Sequence, residues 1–222
     1  MGLVLYSLEV SPPTRCVRMV LEHLELEYQI HEVNYAAGEL QSQEFFALNA
    51  RRRVPVLKDG EYTIAESRAI SCYLCNKYGS GGVSDIYPSD PELRGSVDQQ
   101  LYVSEAIYDT VQKYLNTKKV LFGEGLPKVE FKDDVIKSIQ IYETLLTKQS
   151  YLCGDNVTIA DVHASSSLFM LQLANFDVMG EFPNTSSWLK KIEALPYYKK
   201  CNEKGIAILT KLYQDAVKKN TK

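Results

Sequence analysis

The sequence predicts an α/β domain followed by an all-helical domain, and three observations support this prediction. In residues 1–79, short apolar runs typical of strands alternate with segments whose apolar residues recur at helical spacing. Residues 80–90 are rich in Gly, Ser and Pro, which is the composition of a linker. In residues 91–222 the strand signals largely disappear and helical spacing dominates. The predicted domains are therefore residues 1–79 and 91–222, joined by a linker at 80–90.

The α/β domain has the predicted element order β-α-β followed by β-β-α. Its elements are a strand at residues 4–6, a helix opened by Pro12-Pro13, a strand at 28–33, a hairpin at 54–64 and a helix at 66–78. Prolines suit the first helical positions because the first N–H groups of a helix have no partner within it. The hairpin turn is predicted at Asp59-Gly60, since Asp-Gly favours a tight turn.

The second domain carries one sharp local signal. Thr158 and Asp161 fit a capping box at a helix start, in which the Thr158 side chain accepts from the Asp161 N–H and the carboxylate reaches back. We expect a structural role that stabilises the domain by about 1 kcal/mol. Helical spacing elsewhere is shown by Leu93, Val97 and Leu101, by Val135, Ile139, Tyr142 and Leu146, and by Ile206, Leu209 and Tyr213.

The composition argues against several classes of protein. The 222 residues carry a net charge of −3, which gives no electrostatic reason to expect nucleic acid or an acidic membrane as partner. No apolar stretch approaches the roughly 20 residues that span a bilayer, and the first residues lack the features of a signal peptide. A cytoplasmic protein is expected. Five irregularly spaced cysteines argue against a disulfide scaffold. The pair Cys72 and Cys75 lies inside a predicted helix with no second pair, so no metal site is expected.

Ser11 is the first of three segments that suggest one binding site. It precedes the first helix, where the unpaired N–H groups and the helix dipole favour an anion beside its hydroxyl. A simple N-cap is the alternative interpretation. The second segment is Val54-Pro55. A cis bond there would turn the Val54 N–H and C=O outward to pair with an extended peptide, and an ordinary trans proline is the alternative, since only about 5–6% of X–Pro bonds are cis.

Glu66 and Ser67 form the third segment, at the start of the last helix of the α/β domain. Ser67 and the free N–H groups of the helix suit a carboxylate, while Glu66 suits an ammonium, so together they suit an α-amino acid end. The alternative is that the macrodipole favours a glutamate in the first turn without any ligand. Each of the three segments is weak evidence alone.

Seven strings of residues resemble the motifs of one family, in the expected order and at the expected intervals. They are Leu5-Tyr6-Ser7, Ser11-Pro12-Pro13, Val54-Pro55-Val56-Leu57, Glu66-Ser67-Arg68-Ala69-Ile70, Tyr87-Pro88, Thr158-Ile159-Ala160-Asp161 and Leu195-Pro196-Tyr197-Tyr198. From end to end the chain resembles a cytosolic glutathione transferase, and it is most similar to the insect delta and epsilon classes. The Ser-Pro-Pro turn is more typical of epsilon proteins, and the Glu-Ser-Arg string of delta proteins.

The resemblance implies a thioredoxin-like N-terminal domain, a helical C-terminal domain, a homodimer and glutathione as co-substrate. It also implies that the Val54–Pro55 bond is cis and that Ser11 donates a hydrogen bond to the glutathione sulfur. The implied glutathione-binding residues are Val54 and Pro55 for the cysteinyl unit, Glu66 and Ser67 for the γ-glutamyl end, and Arg68 beside them.

Two positions depart from the family pattern. Family members usually carry His where Arg52 falls, and epsilon proteins often carry another where Leu40 falls; both face the glycyl carboxylate. Arg52 replaces that contact with a bidentate one if it points at the same carboxylate, whereas Leu40 cannot. The alternative interpretation is that Arg51 and Arg53, on either side of Arg52, belong to a solvated loop face.

One serine hydroxyl together with one helix N-terminus is sufficient for thiol activation. A free thiol has a pKa near 8.5, and lowering it by roughly two units requires about 2.7 kcal/mol. A hydrogen bond to a charged group contributes roughly 1.5–3 kcal/mol, and a helix N-terminus about 0.3–1 kcal/mol. No histidine base is needed. Tyr6 is the rival for this role, but the continuous apolar run around it places it inside the first strand, short of the helix.

The resemblance implies an electrophile pocket between the domains, lined by Leu8, Val10, Tyr108, Asp109 and Gln112. Since two of these side chains are polar, substrates with a polar group are expected. Two alternatives to an enzyme remain. One is a binding protein that holds glutathione and a hydrophobic ligand without useful turnover, suggested by Leu40 and Arg52. The other is an interaction module, against which the absence of an appended domain argues.

Overall fold

The computed structural model describes residues 2–80 and 84–221 and divides the chain into two compact units. The first unit runs to Ser89 and the second begins at Asp90. The strands of the first unit are β1 (Leu3–Ser7), β2 (Tyr28–Glu32), β3 (Val56–Asp59) and β4 (Tyr62–Ala65), and its helices are α1 (Pro12–His23), α2 (Gln43–Leu48) and α3 (Ser67–Tyr78). The helices of the second unit are α4 (Pro91–Leu115), α5 (Thr117–Leu121), α6 (Lys132–Leu145), α7 (Ile159–Phe169), α8 (Val178–Glu181), α9 (Pro183–Glu193) and α10 (Tyr198–Asn220).

The first unit is built on a mixed sheet with strand order β2-β1-β3-β4. β1 pairs in parallel with β2 and antiparallel with β3, and β3 pairs antiparallel with β4. The crossover from β1 to β2 is α1, as a parallel connection requires, and α1 packs against α3. This is the thioredoxin-like arrangement that the family resemblance implies.

The hairpin between β3 and β4 differs in detail from its prediction. Asp59 is paired with Tyr62, so the turn consists of Gly60 and Glu61 rather than Asp59 and Gly60. Gly60 has a φ of 60°, and a glycine with positive φ at the first turn position is the pattern of a type II′ turn. Asp59 is therefore the last residue of β3, and its carboxylate accepts hydrogen bonds from side chains of α3.

A short helical segment between β2 and β3 is missing from the sequence-based prediction. Residues Glu39–Gln41 form a 3₁₀ turn, and α2 follows after Ser42, whose hydroxyl accepts from the Phe45 N–H at 3.0 Å. Phe45 is buried. Six residues are too few to show helical periodicity, so only the serine cap indicated this helix.

The second unit is helical, as predicted, with the 25-residue α4 packed against α7. The predicted capping box of Thr158 and Asp161 is present at the start of α7. The Asp161 carboxylate does more than the box requires, because it also accepts from the backbone N–H of Leu152 at 2.8 Å and from the indole of Trp188 at 2.9 Å. Its contribution to stability is therefore expected to exceed that of a local cap.

The linker predicted at residues 80–90 is described only in part, since residues 81–83 lie outside the described residues. Ser84 and Tyr87 form an isolated antiparallel bridge, and Ile86 and Tyr87 are buried. No helix in the described part of the chain is both long enough and apolar enough to cross a bilayer.

Candidate functional site

The strand register brings the three predicted segments to one end of the sheet. Tyr6 near the end of β1 is paired with Val56 at the start of β3, and Val56 is paired with Ala65 at the end of β4. The chain therefore leaves β1 towards Ser11, enters β3 from Val54 and leaves β4 into Glu66 at the same end of the sheet.

A hydrophobic cluster lies at this end of the sheet. Its buried members are Val33, Leu40, Phe45 and Val56, and the half-buried residues packed against it are Tyr6, Leu8, Leu48, Val54 and Ala65. The same cluster thus supports the loop that leads to Ser11, the residue before the cis proline and the residue before Glu66. Its packing fixes the relative positions of the three segments.

Ser11 is the N-cap of α1, as the simpler interpretation holds. Its hydroxyl accepts from the Thr14 N–H at 3.4 Å, which is a long bond, and its side chain is half-buried. A hydroxyl has one proton to donate besides its two lone pairs. Capping therefore uses a lone pair and leaves the proton available, so the cap and the proposed catalytic role are compatible.

The expected free N–H groups at the start of α1 are not there, which corrects the sequence-based argument. Pro12 and Pro13 have no N–H, Thr14 donates to the Ser11 side chain, and the Ser11 N–H donates to the Leu8 carbonyl at 2.8 Å. The first four positions of the helix thus offer an anion no unpaired backbone donor. Only the Ser11 proton and the residual field of the helix remain.

The loop before Ser11 is held by two arginines of α1. Arg15, with 2% of its surface exposed, donates from Nη1 to the Val10 carbonyl at 2.9 Å. Arg18 pairs with the Glu9 carboxylate at 3.1 Å. Since both anchors come from the helix that Ser11 caps, they fix the loop relative to that helix.

Val54 lies beyond the paired residues of β3, whose register with β1 starts at Val56. The Val54–Pro55 peptide bond is cis, as the family resemblance implies. Pro55 itself is buried, while Val54 is half-buried against the hydrophobic cluster.

Glu66 precedes α3 in an uncommon conformation. Its φ is 68°, and a residue with a side chain rarely adopts positive φ. Its carboxylate makes no capping bond to α3. Ser67, the first residue of the helix, is buried, and Arg68 is half-buried. Unlike α1, α3 begins without a side-chain cap, so its N-terminus suits an anion from outside the chain.

Arg51 is a functional candidate that the sequence reasoning missed. Its Nη1 atom lies 2.5 Å from Oε1 of Glu66, although the sequence indicated only a solvated loop face. No periodicity or motif signals this pair, because Arg51 lies before β3 and Glu66 after β4, and only the pairing of these two strands brings them together. Arg53, two residues on, is exposed as that interpretation predicts.

Arg52 and Leu40 occupy the positions where the family pattern has histidine. The Arg52 guanidinium donates to the Gln41 carbonyl and lies 5.1 Å from the centre of the Phe46 ring. Leu40 is buried in the hydrophobic cluster, so it makes no polar contact. Arg52 is therefore the candidate in this segment for a carboxylate contact.

The residues proposed to line an electrophile pocket are divided between the units. Leu8 and Val10 lie in the loop after β1, and both are half-buried. On α4, Tyr108 and Gln112 are one turn apart and half-buried, while Asp109 is exposed. The Gln112 amide donates to the sulfur of Met170 at 3.3 Å.

Comparison with known proteins agrees with this architecture. Residues 1–76 match the family described as Glutathione S-transferase, N-terminal domain, and residues 128–196 match Glutathione S-transferase, C-terminal domain. The chain is 32% identical over 208 residues to Glutathione S-transferase 1 of Manduca sexta, covering 92% of this chain and 94% of that protein.

Solved structures of two insect classes are equally similar in fold. An epsilon-class glutathione S-transferase from the housefly, Musca domestica, superposes with a TM-score of 0.88 at 32% identity, covering 96% of this chain and 98% of that one. A delta-class glutathione transferase of Nilaparvata lugens superposes with a TM-score of 0.89 at 26% identity, covering 96% and 99%. With its fold, its segment order and these likenesses, the chain belongs to the glutathione S-transferase family.

Proposed function

We propose that the protein conjugates the thiolate of glutathione to hydrophobic electrophiles, and that Ser11 activates the thiol. The observation that carries the proposal is the Ser11 hydroxyl. It follows β1 at the end of the sheet where Val54 and Glu66 also lie, and its capping bond leaves its proton available. The hydroxyl donates to the sulfur, stabilises the thiolate and is itself unchanged by the reaction.

The energy for this activation comes mainly from one hydrogen bond. Lowering a thiol pKa by roughly two units requires about 2.7 kcal/mol. The N–H groups at the start of α1 are absent or already bonded, so the helix contributes at the low end of the usual 0.3–1 kcal/mol. The Ser11 bond must then supply about 2 kcal/mol or more, which is within the range of charge-assisted hydrogen bonds.

The remaining segments suit the rest of the tripeptide. The Val54 backbone, outside the strand pairing, is placed to pair with the cysteinyl unit in the manner of β-augmentation. The uncapped start of α3 with Ser67 suits the α-carboxylate of the γ-glutamyl end, and Glu66 suits its ammonium, with Arg68 beside them. Arg52 takes the glycyl carboxylate in a bidentate contact, in place of the family's histidine.

Tyr108, Asp109 and Gln112 of α4, with Leu8 and Val10 of the first unit, are proposed to contact the electrophile. The polar members favour electrophiles with a hydroxyl or carbonyl group. We also propose a cytoplasmic homodimer that removes foreign electrophiles, in keeping with the family resemblance.

Two measurements on the same preparation test the proposed function. The protein is passed over immobilised glutathione, and conjugation of chlorodinitrobenzene is followed by absorbance. Retention together with turnover is expected. Retention without turnover would instead support a protein that only binds glutathione. The absence of both retention and turnover would contradict both interpretations.

A further inference from the structure

An ion pair at the start of α3 joins Arg51 to Glu66. Nη1 of Arg51 lies 2.5 Å from Oε1 of Glu66, and the two side chains are 56% and 55% exposed. Glu66 is the residue proposed to hold the ammonium of glutathione. Arg51 thus gives this carboxylate a cation from the chain itself.

The loop that carries Arg51 is fixed by Asn49. The Asn49 side chain accepts from the Arg51 N–H at 3.0 Å and donates to the Arg53 carbonyl at 2.9 Å. The Arg52 N–H donates to the Asn49 carbonyl at 2.8 Å. Three hydrogen bonds to one residue hold the loop backbone, so less entropy is lost when the Arg51 side chain pairs.

Glu66 is constrained from the other side. Its positive φ sets the direction in which its side chain leaves the backbone, and its carboxylate does not cap α3. Around the proposed γ-glutamyl position, the helix N-terminus, Arg51 and Arg68 all favour a carboxylate. The attraction of Glu66 for an ammonium is opposed by the cation already paired with it.

We propose that Arg51 is a specificity-determining residue that weakens the requirement for the α-amino group of the thiol substrate. This inference rests on the proposed glutathione site. By pairing with Glu66, Arg51 reduces the gain from binding the ammonium, while its charge favours the neighbouring carboxylate. The site then also accepts a tripeptide thiol that lacks the amine.

The test compares glutathione with its des-amino analogue, glutaryl-cysteinyl-glycine. Dissociation constants for both thiols are measured by calorimetry, and kcat/KM is measured with chlorodinitrobenzene. The proteins are the wild type, Arg51→Gln, Glu66→Gln and the double variant. Arg53→Gln is the matched control. Arg53 carries the same charge as Arg51, lies two residues after it and has an exposed side chain.

Arg51→Gln is expected to raise the preference for glutathione over the analogue by about two- to five-fold, the size of an exposed ion pair. Arg53→Gln should leave the preference unchanged. In the Glu66→Gln background, Arg51→Gln should no longer change it, since the two residues act as a pair. An equal effect of Arg53→Gln, or a lower preference in Arg51→Gln, overturns the inference. A wild type that binds neither thiol overturns the proposed function itself, before any variant is made.

Discussion

The Ser11 hydroxyl has three hydrogen-bonding capacities, two as acceptor and one as donor. The described residues use it only as an acceptor, through the long bond from the Thr14 N–H. The prolines at the next two positions remove the backbone donors that would otherwise compete for an anion. A sulfur at this position thus depends on the Ser11 proton more than it would beside an ordinary helix start.

Replacing Ser11 by Ala is therefore expected to lower kcat by ten-fold or more while changing glutathione binding little, because the segments at Val54 and Glu66 are intact. The direct readout is the pKa of the bound thiol, followed by thiolate absorbance in a pH titration. It should rise towards the free value near 8.5 in the variant.

Two further variants separate this role from its competitors. Ser11→Thr keeps a hydroxyl and a cap, and should retain a lowered thiol pKa. Tyr6→Phe should retain activity, since Tyr6 lies within β1 with its ring 4.7 Å from that of His31. A thiol pKa that stays low in Ser11→Ala, or rises in Tyr6→Phe, would move the role to Tyr6.

Among single residues, the sequence predicts those with a motif and misses those that act through a tertiary partner. Ser11, Val54 and Glu66 are proposed from the sequence because their residue types suit a helix start, a strand edge and an amino-acid end. Arg51 was missed because its partner is 15 residues away and comes close only when β3 pairs with β4. The loss of two N–H groups at the start of α1 was readable from Pro12-Pro13, whereas the bonds made by the Ser11 and Thr14 N–H groups are seen only in the structure.

Asp59, at the end of β3, joins the hairpin to α3. Its carboxylate accepts from Tyr73 at 2.6 Å, from Lys77 at 2.5 Å and from Tyr78 at 2.6 Å. Burial by itself would raise the pKa of Asp59, but these three hydrogen bonds and the Lys77 charge outweigh it and lower the pKa to about 2. The network links the hairpin to α3, the helix that follows Glu66.

Asp59→Asn should lower the melting temperature at pH 7 by about 2–8 °C, from the loss of about 1–2 kcal/mol. Since the folded-state pKa lies below the unfolded value, the stabilisation is present above about pH 4 and is lost as the pH falls towards about 2. Melting curves from pH 7 down to pH 3 should therefore show the wild type and the variant converging.

Asp215→Asn is the control for this prediction. Asp215 forms a comparable pair with Lys211 at 2.6 Å, but both side chains are more than half exposed on α10. An exposed pair of this kind contributes little, so the melting temperature should barely change. A gap between wild type and Asp59→Asn that persists unchanged at pH 3 would contradict the charge-based account.

At α7, the structure assigns Asp161 a larger contribution than a local capping box. One oxygen accepts from the Thr158 N–H and hydroxyl, and the other accepts from the Leu152 N–H and the Trp188 indole. All four bonds are buried. The carboxylate thus connects the start of α7, the preceding loop and α9.

Asp161→Ala is expected to cost about 3–5 kcal/mol, because it leaves buried donors unpaired. Thr158→Ala removes the hydroxyl that donates to the Asp161 carboxylate and belongs to the capping box of α7, and should cost about 1–2 kcal/mol. Urea unfolding of both variants measures the difference. Equal costs would show that the contacts to Leu152 and Trp188 contribute nothing beyond the cap.

Among the elements of the first unit, the strands and the two long helices were predicted, and the short helix α2 was not. The strands of the first unit and α1 and α3 follow from alternation or helical spacing, and their boundaries shift by only one or two residues, as helix and strand ends generally do. α2 has six residues and no readable period. The turn at Gly60-Glu61 depends on strand register, which a dipeptide signal does not determine.

At the scale of the whole molecule, the proposed homodimer requires an interface on the surface of the chain. Aromatic residues are enriched at protein–protein interfaces, and the most effective are held rigidly in place. Tyr62, on the outer strand β4, is 50% exposed, and its ring lies 5.1 Å from that of Tyr73, which Asp59 anchors. Tyr102, on α4, is 80% exposed. These two tyrosines are therefore candidates for interface residues.

The protein is expected to elute as a homodimer of about 50 kDa, twice the 25.2 kDa of one chain, in size-exclusion chromatography with light scattering. Tyr62→Glu or Tyr102→Glu should shift the mass towards that of a monomer at micromolar concentration, because a charge at an interface core is left without water or a partner. Val129→Glu provides the control, since Val129 is 73% exposed and lies on the short turn before α6. A wild type of 25 kDa would contradict the dimer, and a shift in Val129→Glu equal to that of the tyrosine variants would contradict this choice of interface residues.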